Sequence, residues 1–241
     1  MAGAQFERQE IGLINAVNSG YGGNNGTPFT LIGVNGISIQ NCISAEKYEG
    51  RSTAGTEPYT DVIINVSGNK SINISNKGDS APSIAGGGIE GLETAVPGLT
   101  KKFLESALSE YKKRGFIEGM SNVPDMYGKV SNNLKEKIVV GNVSMGGPIH
   151  YMYIGPMDVT FNQYGSNVKV NGKLFEAKKY AKDNDLYLRL RKRRADQPLV
   201  LNEKDSKGLP LILGRSPSRG DKGRRIVTVK KPPLNAIVVD I

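Results

Sequence analysis

The sequence predicts an α/β (α+β) fold: a mixed sheet with flanking helices, continued by a β-rich, basic C-terminal extension. Three observations predict it. Apolar residues recur at helical spacing near the N-terminus and again over 99–114, while the stretches between and after are short and β-rich. Two β-rich runs, 61–67 and 70–77, are joined by Gly68-Asn69, which is a hairpin signal. The excess positive charge lies late in the chain: residues 1–181 carry 17 basic and 16 acidic side chains, but residues 182–231 carry 15 and 6. The expected organisation is a core over 1–181 and a basic extension of the same domain over 182–241, since no long linker separates them.

Taken in order, residues 4–18 read as a short amphipathic helix through Phe6, Ile11, Ile14 and Val17, with Gly20 placed to end it. Residues 19–28 are a Gly- and Asn-rich loop, 31–43 a strand or hairpin, and 49–58 a second loop. After the 61–77 hairpin, a Gly-rich segment leads into a helix around 89–95. Pro97-Gly98 breaks the chain. Residues 99–114 form a helix with Leu99, Phe103, Leu104, Ala107, Leu108 and Tyr111 on one side. Lys112, Lys113 and Arg114 complement its C-terminal dipole, and Gly115 stops it. A further helix is expected over 125–138. Strands are expected over 152–161, 168–176, 187–191, 209–213, 226–229 and 237–239.

Composition excludes several functions. With no apolar run of 18 residues, no membrane span is expected. The start, Met1-Ala-Gly-Ala-Gln-Phe-Glu, lacks the regions of a signal peptide, so the expected location is a host cytoplasm, or a virion if the protein is structural. Cys42 is the only cysteine and His150 the only histidine, which excludes a disulfide framework and multi-His metal sites. Cys42, among β-branched residues, reads as an apolar filler.

The basic residues form two clusters. One is Arg189, Arg191, Lys192, Arg193 and Arg194. The other is Arg215, Arg219, Lys222, Arg224, Arg225, Lys230 and Lys231. Localised, arginine-rich charge among Gly, Ser and Pro is the footprint of a polyanion partner, here nucleic acid and by preference DNA. A solvated face or an anionic lipid surface is the competing explanation, but no amphipathic membrane helix accompanies the charge.

Asp61 opens one strand of the hairpin, Lys77 ends the other, and Glu7 lies on the first helix. At Pro58-Tyr59-Thr60-Asp61 and Ser75-Asn76-Lys77 the chain resembles the PD-(D/E)xK nuclease superfamily. The resemblance implies a restriction-endonuclease-like core in which Asp61 binds Mg²⁺, Lys77 orients or activates the attacking water, and Glu7 assists. It also implies an acidic residue two before the Lys, where this chain has Ser75. A hydroxyl is a weak neutral ligand for Mg²⁺, which asks for hard oxygens. Either Glu57, Glu90 or Glu93 substitutes, or the site has lost its metal. Hydrolysis of a phosphodiester needs a divalent ion to lower the pKa of bound water, and a nearby Lys adds a point charge.

Gly86-Gly87-Gly88 ahead of a helix can offer backbone N–H groups to a nucleic-acid phosphate, or serve a hinge or tight crossing. It is neither a Walker loop nor a dinucleotide fingerprint. Over 145–158, His150 could act as a general base, although a lone His is more often structural, and Tyr151 or Tyr153 could stack on a base.

Two functional classes follow. One is a Mg²⁺-dependent DNA endonuclease, or a nuclease-like DNA-binding protein. The other is a non-enzymatic phage virion structural protein (a head, neck or connector component) touching packaged DNA, suggested by the Gly-, Asn- and Ser-rich, Trp-free composition. A weaker third is an RNA-binding module using Tyr180 and Tyr187. The sequence leaves open a homo-oligomer or a place in a larger phage assembly.

Overall fold

The computed structural model describes residues 2–53, 55–79, 88–218, 220, 223 and 225–241, with side chains from Glu7 onward. Gly86, Gly87, Arg219, Lys222, Arg224 and the Phe6 side chain lie outside the described residues.

In chain order the elements are α1 (Ala2–Gly23), β1 (Phe29–Ile32), β2 (Ser38–Lys47), β3 (Val62–Val66), β4 (Lys70–Gly78), α2 (Gly88–Ala95), α3 (Leu99–Lys113), β5 (Met126–Lys129) and α4 (Asn132–Val140). There follow β6 (Tyr151–Gly155), β7 (Phe161–Tyr164), β8 (Asn167–Val170), β9 (Lys173–Glu176), α5 (Ala177–Asp183), β10 (Tyr187–Arg191), β11 (Leu199–Lys204), β12 (Pro210–Leu213), β13 (Arg225–Val229) and β14 (Ile237–Asp240). The fold is α+β with mixed sheets. It divides into two compact units: Met1–Thr53, Glu57–Ala81 and Val139–Ala181 in the first, Ala54–Thr56, Pro82–Ile138 and Lys182–Ile241 in the second. Among the described residues, no helix is long and apolar enough to cross a membrane.

The first unit is an eight-stranded sheet in the order β7-β8-β1-β2-β3-β4-β6-β9. The β1–β8 and β4–β6 pairs are parallel, and the other pairs antiparallel. Helix α1 buries Leu13, Ala16 and Val17 in a core with Phe29, Leu31, Cys42, Val62, Ile64, Ile74 and Val168. Each large apolar side chain buried there contributes about 1.5–3 kcal/mol. Gly20 does not end the helix as anticipated. A Cβ at Gly20 would stand 2.6 Å from Val168 Cγ2 and 3.0 Å from the Phe29 ring, so this glycine lets α1 lie close to the sheet, and α1 continues to Gly23. Cys42 is fully buried, and burial pushes its thiol up to about 11.

The hairpin forms as expected. Val62 pairs with Ile74 and Val66 with Lys70, and the turn residues Gly68 and Asn69 have φ of 83° and 57°, which Gly and Asn adopt most readily. Strand β4 then runs between β3 and β6, with Lys77 opposite Ile154. The end of β4 therefore sits inside the sheet rather than at its edge.

The second unit holds a four-stranded sheet, β13-β10-β5-β14, and a β11–β12 pair. Helix α3 buries Leu99, Phe103, Leu104, Ala107 and Tyr111, as its sequence pattern demands. The helix expected over 125–138 is overturned in its first half. Met126, Tyr127 and Gly128 are buried in β5, which pairs with β10 on one side and β14 on the other. A Cβ at Gly128 would come within 2.7 Å of Phe103 and Ile241, so this position passes close under α3, and the helix starts only at Asn132. The strand expected over 152–161 ends at Gly155, before Pro156, and resumes as β7. Elements β11 and α5 were not anticipated.

Candidate functional site

In the first unit the structure brings Asp61, Ser75 and Lys77 together. Asp61 lies one residue before β3. Its backbone is pinned on both sides, with its N–H donating to Ile74 O at 2.8 Å and its O accepting Tyr48 N–H at 3.1 Å. Its carboxylate Oδ2 accepts the Asn76 backbone N–H at 2.6 Å and the Ser75 hydroxyl at 3.2 Å. Lys77 Nζ donates to Ser75 Oγ at 2.9 Å. Ser75 thus bridges carboxylate and ammonium. Oδ1 takes no hydrogen bond from the described residues. Burial is the largest influence on Asp61 and raises its pKa above the ordinary carboxylate value, against the pull of Lys77, the Asn76 N–H and Ser75.

The first helix supplies two residues that sequence reasoning passed over. Gln9 is fully buried, and its Nε2 lies within hydrogen-bond reach of Gly155 O (2.9 Å), Pro156 O (3.1 Å) and Lys77 O (3.3 Å). It ties α1 to the adjoining ends of β4 and β6. Glu10 is the more enclosed helix carboxylate, its side chain 14% exposed and 3.2 Å from Lys47 Nζ. Burial raises the Glu10 pKa against the Lys47 contact, and the Asp61 charge raises it further. Glu7, the residue expected to assist, is 60% exposed and 4.0 Å from Lys47. The Asp61 charge acts on Glu10, the more enclosed of the two helix carboxylates. Carboxylates that burial pushes toward the protonated form, as at Asp61 and Glu10, are of the sort found at reactive centres.

Among the described residues no three Asp, Glu, His or Cys side chains are grouped to cage a metal ion. The donor chemistry fits a Mg²⁺ all the same, because this ion is commonly held by one or two carboxylates, water and substrate phosphate. Of the substitutes for the missing acid, Glu57 is the one whose charge acts on Asp61 within this unit.

His150 Nδ1 accepts the Asn73 backbone N–H at 2.9 Å, and burial with the Lys178 charge lowers its pKa below the ordinary imidazole value. Tyr153 is fully buried with its hydroxyl on Asn171 Oδ1 at 3.1 Å, which removes it from base stacking.

No protein-family model, no curated protein and no solved structure matches the chain. The functional reading therefore rests on the residues alone.

The basic residues of the second unit sort into two groups. Arg189 is occupied: its Nη2 and Nε lie 2.5 and 2.8 Å from Asp125 Oδ2, and its guanidinium lies 5.9 Å over the Tyr127 ring. Lys192 Nζ donates to the carbonyls of Ser121 and Ala195. Arg191, Arg193, Arg194 and Arg225 instead line one recess of about 480 Å³. Arg215 is exposed in the loop after β12. Gly88 opens α2 with a φ of 54°. Gln197 went unnoticed in the sequence because a single polar residue in a loop carries no periodic signal, yet it is fully buried.

Proposed function

We propose that the chain is a nucleic-acid-binding protein with a nuclease-like core, acting as a Mg²⁺-dependent endonuclease on the phosphodiester bonds of DNA. The observation that carries this reading is the Asp61–Ser75–Lys77 chain. It is a carboxylate kept partly buried at a cost, joined through one hydroxyl to an ammonium at the end of a central strand.

Asp61, through Oδ1, is the residue that would hold the ion, with Glu10 as the second carboxylate. A bound Mg²⁺ supplies charge neutralisation at the phosphate and a more acidic water. Lys77 provides a positive point charge beside the reacting phosphate, and Ser75 fixes the direction of its ammonium. Burial makes Glu10 take a proton more readily than an ordinary carboxylate. The arginines of the second unit supply affinity through phosphate contacts that weaken as salt rises.

Supercoiled plasmid incubated with and without Mg²⁺ or Mn²⁺ tests the reading. Nicking that needs the ion supports it. Plasmid that is retarded but intact in every lane rejects the enzyme and leaves the virion component that docks on packaged DNA.

A further inference from the structure

We propose that Arg191, Arg193, Arg194 and Arg225 form a built clamp for phosphate groups, positioned by Gln197, and not a diffuse basic face. This deepens the nucleic-acid-binding part of the function above and rests on it, but not on the cleavage chemistry.

Strands β10 and β13 pair antiparallel with Arg191 directly opposite Arg225. Like charges at directly opposed positions destabilise a sheet. Arg193 and Arg194 follow two and three residues after Arg191, and the four side chains surround a single recess of about 480 Å³. No carboxylate among the described residues pairs with Arg191, Arg193 or Arg225. The neighbouring Arg189 shows that the fold neutralises a guanidinium where it has no other use for it, since Asp125 and Tyr127 occupy that side chain.

The loops carrying the recess are buttressed. Gln197 Oε1 accepts the backbone N–H groups of Arg193 and Arg194 at 2.6 and 3.0 Å. Its Nε2 donates to Gly214 O at 2.9 Å and Gly223 O at 3.0 Å. One buried side chain therefore joins the 193–194 turn to both ends of the 214–223 loop. Asp196 adds a second tie, accepting from the Ser216 hydroxyl at 2.8 Å and from the Ser218 N–H and hydroxyl at 3.0 and 2.5 Å. A concentration of guanidiniums, of which Arg191, Arg193 and Arg225 face no carboxylate among the described residues, on loops held by the buried Gln197, is preorganised for a counter-charge. Phosphate oxygens match the guanidinium fork in bidentate fashion. The recess falls in the size range of small-ligand sites and exceeds a single phosphate, so it suits successive phosphates of a strand or a short polyphosphate.

The test measures binding of the full chain to a labelled single-stranded DNA oligonucleotide, with sodium tripolyphosphate as titrant and competitor. Arg191→Ala and Arg225→Ala are each expected to weaken oligonucleotide binding by about 10-fold or more and to lower the salt slope by about one. Lys204→Ala removes one exposed charge elsewhere in the unit and is expected to stay within about twofold. Arg191→Lys is expected to recover only part of the loss, because an ammonium lacks the fork. Tripolyphosphate is expected to displace the oligonucleotide. Tripolyphosphate bound by the wild type and lost in Arg191→Ala, with no oligonucleotide bound, keeps the clamp and makes a free polyphosphate its ligand. Equal weakening by Lys204→Ala and the two arginine variants overturns the proposal, as does wild-type binding by Arg191→Ala and Arg225→Ala. Should the alanine variants melt below the assay temperature, Arg191→Lys and tripolyphosphate competition decide, and failure of both overturns it. Nicking enters none of these readouts, so a failed endonuclease assay leaves the clamp standing.

Discussion

The backbone N–H of Asn76 donates to Asp61 Oδ2 at 2.6 Å, so the second strand of the hairpin hydrogen-bonds the carboxylate that opens the first. That bond favours the charged form of Asp61, yet burial outweighs it and leaves the pKa raised. The residue therefore costs the fold stability whenever it is ionised.

Asp61→Asn is accordingly expected to stabilise the protein at pH 7. The folded pKa lies above the unfolded one, so the wild type binds more protons when folded and loses stability as pH rises through the folded value. The gain is expected on the order of 1 kcal/mol, about 2–4 °C in Tm, and should vanish below pH 4. Thermal melting of both proteins from pH 3.5 to 8 checks it; a variant less stable than wild type at pH 7 would show that Asp61 is a structural charge.

Lys77→Met is expected to lower metal-dependent nicking by about 100-fold or more and, by leaving the buried Asp61 carboxylate without its counter-charge, to lower Tm at pH 7. Lys77 holds the Asp61 pKa down, so its removal lets that pKa rise and moves the acid limb of the residual activity to higher pH. A pH–rate profile with an unmoved acid limb would separate Lys77 from Asp61.

Gln9→Leu removes the one side chain that reaches Lys77 O, Gly155 O and Pro156 O. Losing this donor is expected to cost about 1–3 kcal/mol, read as a lower midpoint in denaturant at unchanged m, although Gly155 O keeps the Asp79 N–H.

Gly172→Ala would put a Cβ 2.2 Å from Tyr153 Cζ, against a ring that is fully buried and anchored to Asn171. The overpacking is expected to cost about 1–3 kcal/mol, and Tyr153→Phe in the same chain should leave most of that cost in place because the ring remains.

The hairpin was legible because alternation and a Gly-Asn turn are local signals, and the Asp61–Ser75–Lys77 chain follows from the register those signals set. Gln9 and Glu10 were not legible. Glu7 and Glu10 lie three apart on one helix, and only the packing of α1 on the sheet decides which carboxylate is enclosed. A buried Gln at position 9 breaks the apolar pattern that identifies a core face. Strand β5 was read as helix because its state is set by pairing with β10 and β14, distant in sequence. The basic cluster was visible as charge, but its division into occupied Arg189 and Lys192 and recess-lining Arg191, Arg193 and Arg194 depends on where Asp125, Ser121 and Gln197 come to rest.

The most direct test of the central claim compares wild type with Asp61→Ala in paired assays of plasmid nicking with Mg²⁺ and of DNA retardation. Loss of nicking by about 100-fold or more with retardation unchanged is the predicted result. An Asp61→Ala protein that nicks as fast as wild type would contradict the assignment of Asp61 to the reaction.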